Sequence, residues 1–139
     1  DFDGNAATTK SVTFKIDTVP PTLSINAPVD NLITNKTALT VSGKTNDVTS
    51  SPVKVTIKLN TGNAEEVAVE ADGTFSKVLT LAVGTNTITV VARDSAGKTT
   101  TITRTVVVDT TAPVIKSITI NPNPVDAGKT YVISVEVTD

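Results

Sequence analysis

Cysteine, histidine, methionine and tryptophan are all absent from this 139-residue chain, and aromatic residues make up only 3% of it. Without cysteine or histidine there is no disulfide, no thiolate or imidazole metal ligand, and no catalysis of the cysteine or histidine type. Twelve basic residues face 14 acidic ones, and no apolar run approaches the ~18 residues of a membrane span. We therefore expect neither nucleic-acid binding nor membrane insertion.

Valine and threonine together make up about a third of the chain. Both are β-branched, which suits the pleated surface of a sheet and costs rotamer freedom in a helix. No segment repeats apolar residues at the i, i+3, i+4, i+7 spacing of an amphipathic helix. The composition therefore predicts an all-β protein.

Two similar segments lie 92 residues apart. Residues 15–21 read Lys-Ile-Asp-Thr-Val-Pro-Pro, and residues 107–113 read Val-Val-Asp-Thr-Thr-Ala-Pro. A period of this length is too long for a solenoid and is typical of β-sandwich modules in tandem. We predict the last strand of a preceding module and a linker over residues 1–19, a complete module over 20–110, and the first strands of a following module over 111–139.

Within the complete module, alternating segments separated by turn residues predict seven strands. They cover residues 22–26, 38–44, 53–59, 65–70, 75–81, 87–92 and 99–108, with further edge strands at 10–16, 114–120 and 131–137. Asp72-Gly73 is the sharpest hairpin signal. The strand spacing is typical of a β-sandwich or a β-barrel.

Period-2 alternation assigns one face of each strand to the core. Threonines such as Thr87 and Thr89 fall on the opposite, outer face. The residues predicted to point inward are Phe14, Leu39, Val41, Val53, Val55, Ile57, Leu59, Val67, Val69, Phe75, Leu79 or Leu81, Ile88 and Val90. With Phe14 and Phe75 inside, Phe2 and Tyr131 are the aromatic residues left for a sugar-binding surface.

Several motifs resemble the bacterial immunoglobulin-like modules found in tandem in secreted and surface proteins, especially of Gram-positive bacteria. The motifs are the two Asp-Thr linkers at residues 17–21 and 109–113, the Val-Ser-Gly-Lys-Thr segment at 41–45, the Asp-Gly-Thr-Phe-Ser segment at 72–76, and the run at 84–97. Lys98 departs from the family, which commonly carries asparagine there. The resemblance implies an immunoglobulin-like antiparallel sandwich of about seven strands in an extracellular or cell-surface protein.

The residue inventory argues against catalysis, because the chain has neither histidine nor cysteine. The only adjacent carboxylates, Glu65 and Glu66, point to opposite faces of one strand, so we predict no catalytic residue. We predict a structural spacer or stalk whose partners are the neighbouring modules of the same chain. The alternatives are a binding module, as an adhesin for a protein or glycan or as an accessory domain of a secreted polysaccharide-degrading enzyme, and a filament subunit that donates a strand.

Aspartates are predicted to gather at the two ends of the sandwich. In this topology Asp47 and Asp94, from two loops, approach Asp17 in the incoming linker, while Asp30 and Asp109 lie at the opposite end. Calcium requires six to eight oxygen ligands, which three aspartates and linker carbonyls approach. Calcium at Asp17, Asp47 and Asp94 is thus the one cofactor that the sequence suggests. The alternative is ordinary turn chemistry, with Asp94 capping a turn and Asp17 ending a strand.

We predict that a fragment limited to residues 20–113 folds alone as one cooperative unit, because the repeat places a complete set of strands inside it. Amides of the central segments 53–59 and 87–92 should exchange slowly in a hydrogen-exchange measurement on this fragment. A fragment without protected amides would contradict the proposed module boundaries.

Overall fold

The computed structural model describes residues 9–14, 16–47, 49–119, 128 and 134–138. Every regular element in these ranges is a β-strand, which confirms the prediction of an all-β chain. The strands are β1 (Thr22–Ala27), β2 (Leu32–Thr34), β3 (Ala38–Asn46), β4 (Lys54–Leu59), β5 (Glu65–Val67), β6 (Thr74–Thr80), β7 (Gly84–Arg93), β8 (Thr99–Val108), β9 (Val114–Thr119) and β10 (Ser134–Thr138). Nothing in this described part forms a helix with the length and hydropathy needed to cross a bilayer.

Strands β1 to β8 form two sheets that pack face to face. The smaller sheet has the order β1-β3-β6, and the larger has the order β2-β8-β7-β4-β5. All neighbours are antiparallel except β2 and β8. The predicted immunoglobulin-like sandwich is confirmed. Strands β9 and β10 form a separate antiparallel pair.

The strand set differs from the prediction chiefly at four places. Strand β2 was missed, because its three residues carry no periodicity and become a strand only by pairing with the distant β8. Strand β5 is shorter than the predicted 65–70, and β7 begins three residues earlier than the predicted 87–92. Residues 10–14 and 16 form no strand, although a strand was predicted over 10–16.

An aliphatic core fills the space between the two sheets. Its buried residues are Val41, Val55, Ile57, Val67, Phe75, Leu79, Leu81, Ile88, Val90, Ala92, Val106 and Val108. Four residues that were also predicted to point inward are partly buried and pack against this cluster: Leu39, Val53, Leu59 and Val69. Alternation therefore identified the inner faces of the main strands.

The inward prediction for Phe14 is wrong, because this side chain is 83% exposed. Alternation defines an inner face only where a strand lies in a sheet, and residues 9–14 pair with none. Val12 and Ile16 on the same segment are exposed as well. Phe2 and Tyr131 lie outside the described residues.

Gly43 in β3 allows a close approach between the strands of the smaller sheet. A Cβ at this position would lie 2.2 Å from the Ser24 carbonyl oxygen and 2.6 Å from the Phe75 ring. The predicted turn at Asp72-Gly73 also needs its glycine, since Gly73 has a φ of +86° and a Cβ there would lie 2.1 Å from the Thr45 carbonyl oxygen.

Asn86 is a fully buried polar residue that holds the turn between β6 and β7. Its side-chain oxygen accepts hydrogen bonds from the Ala82 N–H (3.0 Å) and the Asn60 amide (3.1 Å). Its side-chain nitrogen donates to the carbonyl oxygens of Ala82 (2.7 Å) and Gly84 (3.1 Å). These bonds explain why β7 begins early, with Asn86 inside the strand rather than in the turn.

The chain enters and leaves the sandwich at opposite ends. At the entry end, the Thr100 hydroxyl near the start of β8 donates to the Pro21 carbonyl oxygen just before β1. At the exit end, Val108 closes β8 opposite Gly84. Ten residues of β8 separate these ends, which is ~30 Å at ~3.3 Å per residue.

Replacing Ile88 by alanine should lower the free energy of unfolding by about 2–5 kcal/mol, because it empties space in the fully buried core. Thr87→Ala is the matched control: Thr87 precedes Ile88 in β7 and is exposed, so its loss should stay near ~0.5 kcal/mol. Urea denaturation measures both. Equal losses would mean that the inner and outer faces of β7 are interchanged.

Candidate metal centre

Asp47 follows β3 directly and is held by the turn that it begins. Its Oδ1 accepts hydrogen bonds from the Thr49 N–H (2.8 Å), the Thr49 hydroxyl (2.8 Å) and the Ser50 N–H (2.9 Å). The Ser51 hydroxyl donates to the Asp47 carbonyl oxygen. This is the local side-chain-to-backbone bonding by which aspartate favours turns, and it fixes the direction of the carboxylate.

The same bonds set the ionisation of Asp47. Hydrogen bonds donated by the Thr49 N–H, the Ser50 N–H and the Thr49 hydroxyl lower the pKa of Asp47 from its ordinary value, against the opposing effects of desolvation and of the Asp17 charge. Bonds of this kind favour the charged form. Asp47 is therefore a carboxylate at neutral pH, although only 6% of its surface is exposed.

Asp94 follows β7 and caps the turn that leads into β8. Its Oδ1 accepts from the Lys98 N–H (2.8 Å), and its own N–H donates to the Lys98 carbonyl oxygen (3.0 Å). A backbone bond from the Ser95 N–H to the Ser50 carbonyl oxygen (3.0 Å) joins this turn to the loop of Asp47. The sandwich itself thus holds two carboxylates side by side.

Asp17 reaches these loops from the incoming segment. Its Oδ1 accepts from the Val19 N–H (2.9 Å). Its Oδ2 accepts from the Ser50 hydroxyl and lies 2.6 Å from the Thr49 hydroxyl oxygen, whose single hydrogen it shares with Asp47 Oδ1. The segment that precedes β1 is therefore tied to the loop between β3 and β4 through one half-buried carboxylate.

Asp17, Asp47 and Asp94 converge at the entry end, and one carboxylate oxygen from each lies within 4.8 Å of the others. The Oδ2 atoms of Asp47 and Asp94 are inaccessible to solvent and accept no hydrogen bond. Among the residues that the structure describes, no lysine or arginine nitrogen lies within 4 Å of either carboxylate. The arrangement gathers negative charge and leaves oxygen atoms without donors.

The sequence placed these three aspartates at one end of the sandwich, and the structure brings them together; whether they bind a cation stays a prediction. Asp30 and Asp109 accept hydrogen bonds from different donors: Asp30 from the Thr105 N–H (2.9 Å) and Asp109 from the Thr111 N–H (2.9 Å). The sequence analysis did not identify the hydroxyls of Thr49 and Ser50 that hold Asp17. An Asp-x-Thr pattern marks Thr49, but nothing local indicates which distant carboxylate it meets.

Asp72 provides a comparison for Asp47, because both begin an Asp-x-Thr turn. The Asp72 Oδ1 accepts from the Thr74 N–H (3.0 Å) and the Thr74 hydroxyl (2.6 Å), as Asp47 does from Thr49. Asp72, however, is exposed and belongs to no acidic group among the described residues. The bonds from the threonine are the same, but Asp47 also accepts from the Ser50 N–H and lies beside two other carboxylates.

Comparisons with known proteins place the module in a family. A family model described as glucodextranase, domain B, matches residues 21–110, the stretch that holds β1 to β8. Bacillopeptidase F of Bacillus subtilis strain 168 is 34% identical over 116 residues, which cover 84% of this chain and 8% of that protein.

Two solved structures are similar in shape. An engineered protein matches with a TM-score of 0.50 and 20% identity over 64% of this chain and 20% of its own. A double mutant of Cellulomonas fimi endo-β-1,4-mannanase has a TM-score of 0.45 and 20% identity, over 62% of this chain and 18% of its own. The chain thus spans a small part of each of these three proteins.

Acidification should remove the stabilising effect of Asp72. The Thr74 hydroxyl and the Thr74 N–H lower the pKa of Asp72 in the folded state, so its contribution is present above the unfolded value of about 3.9 and is lost as the pH falls through the lower folded value. In urea denaturation, Asp72→Asn should be less stable than the unmodified chain at about pH 6, and the difference should shrink towards about pH 2. A difference that is the same at both pH values would contradict this assignment.

Proposed function

The chain belongs to the family of glucodextranase domain B, and we propose that its complete module, residues 20–110, is a non-catalytic spacer in a multimodular extracellular or cell-surface protein. The family model supports this proposal, because it describes an immunoglobulin-like module that is named as one domain of a larger enzyme. The match to a peptidase of which this chain spans 8% supports the same multidomain setting.

The observation that carries the proposal is the placement of the two chain ends of the sandwich. The incoming segment reaches β1 at the entry end, and β8 releases the chain at the exit end, ~30 Å away. Modules joined in this way follow one another along a line rather than folding back. Each copy of such a module adds a fixed length between the domains on either side.

The spacing of the strands supports a second module of the same kind. Strand β9 begins 92 residues after β1, and it pairs antiparallel with β10 as β1 pairs with β3. Asp109 follows Asp17 at the same interval and precedes β9 as Asp17 precedes β1. We therefore propose that residues 111–139 open a following module.

A catalytic role has no chemical support in the described residues. The Ser50 hydroxyl donates to the Asp17 carboxylate, but the chain has no histidine, the usual base that activates a serine nucleophile. A glycan-binding role lacks its aromatic platform, since Phe14 is the one exposed aromatic residue among those described. A spacer requires neither feature.

Exchanging the module in the full-length protein tests the proposal. Residues 20–110 are replaced either by an unrelated β-sandwich of equal end-to-end length or by a glycine-serine linker of equal residue number. The flanking domains should keep their activity towards soluble targets in both variants. Towards a target attached to a surface, the flanking domains should keep their activity only in the variant that carries the unrelated β-sandwich.

Two outcomes would contradict the spacer. Loss of activity towards soluble targets in both variants would give the module a direct part in binding or catalysis. Full activity of the linker variant towards the attached target would show that a fixed length is not needed.

A further inference from the structure

We infer that Asp17, Asp47 and Asp94 bind a divalent cation of the calcium type, and that this ion fixes the incoming segment to the sandwich. The ion site stands on the geometry of the cluster alone. Its effect on the spacing of modules rests on the proposed function.

The first support is the convergence of like charges from three parts of the chain. One oxygen of each carboxylate lies within 4.8 Å of the others, a distance at which like charges repel strongly when partly buried. Asp47 and Asp94 are 6% and 5% exposed, so water screens their repulsion poorly. No basic side chain among the described residues forms an ion pair with either of them.

The second support is independent of charge. In Asp47 and Asp94 the Oδ1 atom is occupied by hydrogen bonds from its own turn, whereas the Oδ2 atom is buried without any donor. Buried polar atoms in proteins are nearly always satisfied, and one that is not calls for a ligand or water. Each turn therefore orients its carboxylate and leaves one oxygen open to a cation.

The donor set selects the kind of ion. All three ligands are carboxylates, which are hard oxygen donors that suit calcium, magnesium and manganese rather than zinc or copper. Calcium accepts six to eight oxygens in flexible geometry. The three carboxylates supply three of them through one oxygen each, and backbone carbonyls, hydroxyls or water supply the rest. Magnesium requires a near-ideal octahedron and keeps most of its water, which a partly buried cluster does not favour.

The ion would act on the incoming segment rather than on the fold of the sandwich. The backbone bond from Ser95 to Ser50 already joins the loops that carry Asp47 and Asp94. Asp17 is the one ligand that lies outside the sandwich, five residues before β1. Binding therefore couples the segment before the module to the module, and the 92-residue repeat gives Asp109 the same place at the next junction.

Calorimetry on the 139-residue chain tests the ion site, with calcium chloride added to protein freed of metals by EDTA. We expect one calcium ion to bind per chain, with a Kd of about 10⁻⁴–10⁻³ M, as in extracellular calcium modules. Calcium should also raise the melting temperature of the chain. Absence of binding at about 10 mM calcium would overturn the proposal, because this is ~10-fold above the expected range. Magnesium binding as tight as calcium binding would overturn the assignment to calcium.

Asp94→Asn distinguishes the role of Asp94 as a calcium ligand from its role in the turn, because the amide oxygen can still accept a hydrogen bond from the Lys98 N–H. Calcium affinity should fall at least ~10-fold. In EDTA the variant should melt at the same or a higher temperature than the unmodified chain, because one of three like charges is gone, and in calcium it should melt lower. Asp72→Asn, which makes the same substitution at a turn aspartate outside the cluster, should leave calcium affinity unchanged. If Asp94→Asn lowered the melting temperature equally with and without calcium, Asp94 would be a turn residue only.

The coupling of the segment is measured with spin labels on Ser11→Cys and Thr87→Cys, both at exposed positions of a chain without other cysteines. Calcium should narrow the distribution of distances between the labels. If calcium bound without narrowing this distribution, the coupling between the incoming segment and the sandwich would be overturned, while the ion site would stand. If calcium bound but the module exchange gave either of the two outcomes that contradict the spacer, the spacer alone would be rejected.

Discussion

The antiparallel pairing of β7 with β8 determines where the other parts of this module lie. Its ten residue pairs run from Gly84 and Val108 at the exit end to Arg93 and Thr99 at the entry end. The two strands contribute Ile88, Val90 and Val106 to the core. The same pairing places the turn of Asp94 at the entry end and releases the chain at the exit end, so that the core, the acidic cluster and the direction of the chain depend on one register.

Much of this arrangement could be predicted from sequence because its signals are local. Alternation of aliphatic residues with threonine gives the inner face of a strand such as β4, where Val55 and Ile57 are buried and Lys58 is not. Turn residues such as Asp72-Gly73 give the connections. Once seven strands are assigned to a sandwich, the topology alone brings the loops of Asp47 and Asp94 to the end where Asp17 enters.

The parts that could not be predicted depend on distant partners. Strand β2 exists because β8 lies beside it, and a three-residue segment gives no signal of that neighbour. Phe14 was expected inside because it alternates with its neighbours, but residues 9–14 join no sheet. The bonds from Thr49 and Ser50 to Asp17 arise between segments over thirty residues apart. Residue type indicated that each group could form a hydrogen bond, but not with which partner.

The Asp-x-Thr turn shows how one local structure acquires different surroundings. It occurs at Asp47, Asp72 and Asp109, and in each case the aspartate accepts from both the backbone and the hydroxyl of the threonine. In all three turns these bonds go to Oδ1, so the threonine makes no use of Oδ2. Among the described residues, Asp47 is the one of these three aspartates that belongs to a group of three carboxylates, so tertiary structure determines the chemistry of a motif that secondary structure makes common.

The opposite placement of the chain ends also determines how the module would resist tension. A pull between Thr22 and Val108 draws β1 along β3 and draws β8 along both β7 and the parallel strand β2. Hydrogen bonds between antiparallel strands run perpendicular to the strand axis. A pull along the strands therefore loads all the hydrogen bonds between two paired strands at the same time. If both ends lay at one edge, the same bonds would open one at a time. Rupture of this module in shear thus requires many bonds to break at once, and forced unfolding is governed by that barrier rather than by equilibrium stability.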